Sequence, residues 1–155
     1  MSIQERLKTL GIELPSPVAA VANYVPIHLG RDGTIYVSGQ IAFVDGKLET
    51  RGLLGKDVSI EAGYEAAKLC AINVLAQVSA ALNGDLEKIV SCRKLTAFVA
   101  ATPDFSDHPK VANGASDLIV EVLGERGRHA RSAVGMASLP FNVPVEVEAI
   151  FEVAI

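Results

Sequence analysis

The chain has 155 residues, half of them apolar and 21% charged, with 14 Lys and Arg against 18 Asp and Glu for a formal net charge of −4. Those proportions exclude a disordered chain and point to one globular domain, which at this size buries about two thirds of its unfolded surface without metal or disulfide staples. The acidic balance argues against a surface that grips nucleic acid by bulk charge, because such affinity comes from neutralising many phosphates, and leaves room for a local basic site.

Two cysteines, Cys70 and Cys92, and three histidines in separate segments do not form a zinc framework, so no metal is expected and the thiols read as buried and inert. The segment from Met1 to Leu7 lacks the apolar core and cleavage site of a secretion signal. The longest charge-poor stretch, Ala66 to Asn83, is amphipathic and carries Lys68, which argues against a membrane span. The expected location is cytoplasmic.

In chain order, Ile3, Leu7 and Leu10 recur at helical spacing before Gly11, which predicts a short N-terminal helix. Residues 1–14 read as a helical extension and 15–155 as a single α+β domain. Beyond Pro15 and Pro17 the chain turns extended. Ile35 to Ile41 reads as a strand of a meander, between turn signals at Asp32-Gly33 and Asp45-Gly46.

From Ser59 to Leu82, apolar residues fall at steps of three and four. Ser59 suits the cap, Glu61 the positive end and Asn83-Gly84 the stop of a long helix. Lys88 to Ala100 reads as a strand covered by it. A second helix starts near Pro109 with Asp107 as cap, and Gly124 ends it. The last third reads as a β-hairpin of His129 to Ala137 with Pro144 to Val153. In the second of these strands Val145, Val147, Ala149, Phe151 and Val153 share one face, and Glu146, Glu148, Ile150 and Glu152 the other.

This order fits a sheet with two helices packed on one face. The second face is then uncovered. Symmetric partners commonly bury such a face, although three glutamates on the last strand also suit a monomer with a solvated face.

The most specialised polar stretch runs from Gly124 to Ser132, with Arg126, Arg128, His129 and Arg131. If Ala130, Ser132 and Val134 meet the core, Arg131 points to the outer face, where Glu146 and Glu148 also lie. An arginine fork there can hold a small carboxylate through two charge-assisted bonds, each about 1.5–3 kcal/mol. The plainer reading is a cross-strand ion pair of Arg131 with a glutamate, about 0–1 kcal/mol if exposed. Arg126 and Arg128 read as solvated loop residues, and His28 and His108 as surface or capping residues.

One ordered set of segments resembles the RidA (YjgF/YER057c/UK114) family: Tyr24, Val37-Ser38-Gly39-Gln40, Gly84 to Val90, Phe105 with Asn113, Ala130-Arg131-Ser132, Leu139-Pro140, and Val145 to Ile150. The resemblance implies a chorismate-mutase-like α+β fold assembled as a homotrimer with clefts between protomers. It also implies hydrolysis, without a cofactor, of reactive enamines and imines such as 2-aminoacrylate to 2-keto acids and ammonia. On that model Arg131 clamps the substrate carboxylate and Glu146 holds or polarises the attacking water.

Tyr24, Ser38 and Asn113 match other positions lining the cleft, Tyr24 reaching it from a neighbouring protomer. Ala133 stands where the archetype has cysteine, so no thiol mechanism carries over, and only its backbone is available to orient water or substrate. The N-terminal helix and the Gly124 to His129 loop mark a divergent subgroup. Two alternatives stay open: a non-catalytic trimer that binds small carboxylates in the same clefts, and the RNA cleavage with which some family members are labelled. The net charge argues against the latter.

Overall fold

The computed structural model describes residues 1–155. Helix α1 (Ile3–Thr9) opens with a capping box, in which the Ser2 hydroxyl accepts from Glu5 N and the Glu5 carboxylate accepts from Ser2 N. Ile3 and Leu7 are buried and belong to the main hydrophobic cluster, so this helix, read from the sequence as an appendage, is docked against the domain. Its first turn is tied down from a distance: Ile3 N donates to the Glu87 carboxylate, 2.5 Å, and Arg126 pairs with that same carboxylate at 3.0 Å.

Strands β1 (Ile27–Leu29) and β2 (Thr34–Gln40) form a short antiparallel hairpin. Its turn is organised by Asp32, which accepts from both the amide and the hydroxyl of Thr34. Helix α2 (Ile60–Ala81) has the predicted limits. Ser59 accepts from Ala62 N, and Asn83 and Gly84 take the positive φ that stops it.

Strand β3 (Ile89–Ala100) leads to helix α3 (His108–Leu123). Asp107 sits at the cap position of α3 but makes no capping hydrogen bond, its carboxylate being paired with Lys110 at 3.2 Å. Gly124, at φ 64°, ends the helix as expected. Strands β4 (Ala130–Met136) and β5 (Val145–Val153) complete the chain.

The five strands form one mixed sheet in the order β1-β2-β5-β3-β4. The expected β4–β5 hairpin is therefore absent. Helix α3 is instead a crossover that lays β4 parallel to β3, with Leu95 opposite Arg131 and Ala97 opposite Ala133, and β5 inserts antiparallel between β2 and β3. The reason is burial. Every residue of the apolar row Val145, Val147, Ala149, Phe151 and Val153 is at most 4% exposed, which a central strand alone provides. At about 1.5–3 kcal/mol for each large side chain buried, that row outweighs the short connection that favours a hairpin. The smaller residues of β4 are left at the edge.

Helices α2 and α3 cover one face of the sheet. They approach so closely at Gly114 that a β-carbon there would strike the Tyr64 carbonyl. Cys70 and Cys92 are buried free thiols, and burial raises both, Cys92 to about 12. The other face of the sheet carries no helix. Across it run His28, Tyr36, Ile150, Lys94 and Ala130 in one row and Glu146, Phe98 and Val134 in another. No helix is long and apolar enough to cross a membrane.

Candidate active site

Arg131 lies on the helix side of the sheet, contrary to the outward orientation expected. Its register neighbours Leu95 and Ala149 are core residues, and Ala133, two positions on, packs against the core. Alternation thus puts Arg131, Ala133 and Gly135 on the covered side. At the β4 edge that side is open enough for a charged group, and α3 meets it with polar residues.

The Arg131 Nη1 donates to Asn113 Oδ1 at 2.9 Å and to Ser116 Oγ at 3.1 Å. Both anchors are neutral. No carboxylate lies within 4.0 Å of Arg131, and the ion pairs of the chain join Arg93–Glu152, Lys110–Asp107, Arg126–Glu87 and Arg128–Glu125. The cross-strand ion pair is thereby overturned. The guanidinium is held by one nitrogen and keeps its charge and its remaining N–H groups for another acceptor. Arg126 also departs from expectation, since it donates to the Glu87 and Ile89 carbonyls as well as pairing with Glu87. It is a structural tie, while Arg128 is an exposed partner of Glu125.

Glu146 projects from the opposite face of the sheet. It borders a cavity of about 290 Å³ whose walls include Tyr24, Phe43, Phe141 and Gln40. Burial pushes its carboxyl above the ordinary carboxylate range, and the charge of Glu148 adds to the shift. A glycine at 39 makes room, because a β-carbon there would overlap the Glu146 carboxylate.

Two buried amides of α2 fix the cavity walls. Asn73 Nδ2 donates to the carbonyls of Ile41 and Phe43 at 2.7 and 3.1 Å, and Gln77 Nε2 to that of Val18 at 2.8 Å. The connection from β4 to β5 supplies Phe141, whose left-handed backbone, φ 58°, is held through its carbonyl by Arg51. Ser38 lines a neighbouring recess with His28 and Tyr36, and its hydroxyl donates to Val25 O at 2.9 Å, steadying the segment that carries Tyr24.

The structure thus brings Arg131 together with Asn113, and Tyr24 together with Glu146. It does not bring Arg131 to Glu146 within one chain. The family model described as "YjgF/chorismate mutase-like, putative endoribonuclease" matches residues 4–152. The chain belongs to the YjgF/RidA family.

Protein TCP17 of Trypanosoma cruzi is 44% identical over 151 residues, 97% of this chain and 93% of that protein. The crystal structure of Atu1372 from Agrobacterium tumefaciens, described as of unknown function, superposes with a TM-score of 0.92 at 54% identity, covering 98% of this chain and 92% of that one. RidA of an Antarctic Psychrobacter superposes at 0.59 with 26% identity, over 89% and 94% of the two chains. The mixed sheet with helices on one face is the YjgF/chorismate-mutase-like fold that the motifs implied.

Ser116, Phe141, Asn73 and Gln77, which line or brace these two clusters, are the residues that the sequence reading missed. Ser116 carried a signal, being one helical turn after Asn113. The two amides carried another, as polar residues on the apolar face of a long helix.

Proposed function

We propose that this protein is a homotrimeric hydrolase of small enamino and imino acids, releasing 2-keto acids and ammonia in clefts built by two protomers. The observation that carries the reading is the Arg131 guanidinium, fixed by Asn113 and Ser116 with no carboxylate of its own chain to neutralise it. A planar fork so held matches a substrate carboxylate, and charge-assisted bonds of this kind contribute about 1.5–3 kcal/mol each.

Arg131 and Glu146 occupy opposite faces of one sheet, so each is half of a site. In the assembly, Arg131, Asn113 and the open backbone edge at Ala133 of one protomer meet Tyr24, Ser38 and Glu146 of the next. The uncovered face of the sheet is the surface that such packing buries.

The chemistry asks little of the protein. Protonation of an enamine at carbon by solvent gives the iminium ion, whose carbon is already electrophilic. Glu146 takes a proton from water as its oxygen bonds to that carbon, giving the carbinolamine; it returns that proton to nitrogen, and takes the hydroxyl proton as the C–N bond breaks to release ketone and ammonia. Burial, which raises the Glu146 carboxyl, makes its carboxylate a better acceptor for that proton. The apolar cavity beside it accommodates the carbon skeleton of the substrate. No step calls for a cofactor.

The endoribonuclease label of the family finds less support here. His28, His108 and His129 stand in three separate environments, tilted beside Tyr36, edge-on to Phe105, and bonded to Ser116 respectively, with no pair placed for acid–base cleavage of a phosphodiester. The decisive assay couples a pyridoxal-phosphate dehydratase that makes 2-aminoacrylate to timed keto-acid release. Faster release with this protein than without it is expected. Equal rates, together with tight keto-acid binding, would leave a carboxylate-binding trimer instead.

A further inference from the structure

Beyond Asn113, the Arg131 guanidinium rests on a chain of polar groups that runs to the backbone. Arg131 Nη1 donates to Ser116 Oγ at 3.1 Å, Ser116 Oγ lies 2.9 Å from His129 Nε2, and His129 Nδ1 lies 2.6 Å from the Gly127 carbonyl. The directions follow from the ends. A carbonyl only accepts, so Nδ1 carries the hydrogen, and Nε2 of the neutral ring is then an acceptor. Arginine only donates, so the Ser116 oxygen receives from it and its own hydrogen is free to go to Nε2. Ser116 and His129 each accept at one end and donate at the other, and none of the bonding atoms is left unsatisfied.

The anchor of the chain is firm. Gly127 is buried, and a β-carbon there would strike the Ile119 carbonyl of α3, so the turn that carries it is pressed against the helix that carries Ser116. His129 immediately precedes β4 and spans the gap between that turn and the helix.

We propose that Ser116 and His129 are positioning residues for the carboxylate clamp: the imidazole, fixed as its Nδ1–H tautomer, orients the Ser116 hydroxyl so that its lone pairs face Arg131 and fix the plane of the guanidinium. The proposal rests on the reading of Arg131 as the substrate clamp. It assigns the histidine of the Gly124 to Ser132 stretch a role in binding, with no proton transfer to substrate. A hydroxyl that is free to rotate holds the fork in no single plane, and two parallel bonds to a carboxylate require one.

The test has two arms, and the second does not depend on the function. In the first, 2-oxobutyrate is titrated calorimetrically into the wild-type protein and its variants. Ser116→Ala is expected to weaken binding about tenfold, Ser116→Thr, which keeps the hydroxyl, to stay within about twofold, and His129→Phe to weaken it about threefold. In the imine assay the Ser116→Ala loss falls on KM, with kcat unchanged. Ser116→Ala binding like the wild type would overturn the proposal.

In the second arm, nitrogen-15 spectra of the histidine rings at pH 8 are expected to place the His129 proton on Nδ1 and to show the Nε2 resonance moving in Ser116→Ala. A proton on Nε2 would overturn the proposal whatever the activity. A wild-type protein that binds no keto acid would instead sink the functional reading, and the tautomer would still decide the chain from Arg131 to Gly127.

Discussion

The β4 edge and the cavity beside β5 are built on opposite principles. At the edge, a permanent cation is surrounded by neutral hydrogen-bond partners, Asn113 and Ser116, and made rigid without being neutralised. In the cavity, a carboxyl is half-buried among Tyr24, Phe43 and Phe141, so its charge is disfavoured and its proton held more tightly. One region supplies fixed charge for recognition, the other a group that can change charge. They lie on opposite faces of the sheet, so on the proposed reading neither is a site alone, and the division of labour between them can be tested region by region.

The largest effect is expected at Glu146. Glu146→Gln should lower kcat by about 10²–10⁴-fold while 2-oxobutyrate binding changes by less than about threefold. The acid limb of the wild-type pH–rate profile should lie above the ordinary carboxylate range, because the ionised form is the one that takes a proton from water. Arg131→Ala should reverse the pattern, weakening keto-acid binding about 100-fold or more through loss of two charge-assisted bonds. Equal effects of both variants on binding and turnover would erase the distinction between the regions.

Gly39→Ala tests the fit of the cavity with no change of charge. The added methyl displaces the Glu146 carboxylate, and kcat should fall about tenfold while circular dichroism stays that of the wild type.

Stability should respond more gently. A carboxyl whose pKa is raised by folding binds its proton more tightly in the native state, so its contribution is most favourable below the unfolded pKa and is lost as pH rises through the folded one. Glu146→Gln should therefore melt at a higher temperature than the wild type at pH 7.5, with the difference closing toward pH 4. Arg126→Ala, which removes the tie from the 124–127 turn to Glu87 and Ile89, should cost about 1–2 kcal/mol in urea unfolding and leave keto-acid binding unchanged.

The periodic parts of the fold were legible from the residues: helix α2 between Ser59 and Asn83, strand β3, and the alternation of β5 follow from apolar spacing and end signals. The partner of β4 was not, because spacing along a strand fixes which residues share a face and says nothing of which strand lies beside it. That gap carried into the site. The outward orientation of Arg131 rested on Ala130, Ser132 and Val134 meeting the core, whereas register with β3 sets Arg131 beside the core residue Leu95, on the helix side. Arg126 was misread for a related reason, its acceptors being backbone carbonyls 37 and 39 residues away. The positions matched by the family resemblance are found in two clusters, which a linear motif cannot separate. Asn73 and Gln77 were visible as polar residues on an apolar helical face, but only the folded chain shows which loops they hold.

Whether the clamp and the acid of one cleft come from different protomers is read out by subunit mixing. Arg131→Ala and Glu146→Gln chains, each of low activity alone at substrate concentrations below the wild-type KM, are unfolded, combined in equal amounts and refolded. In a cyclic trimer formed at random, about a quarter of the clefts then pair an intact Arg131 with an intact Glu146, so about a quarter of wild-type imine hydrolysis should return. Activity no higher than that of either variant alone, in trimers shown to contain both chains, would contradict the account.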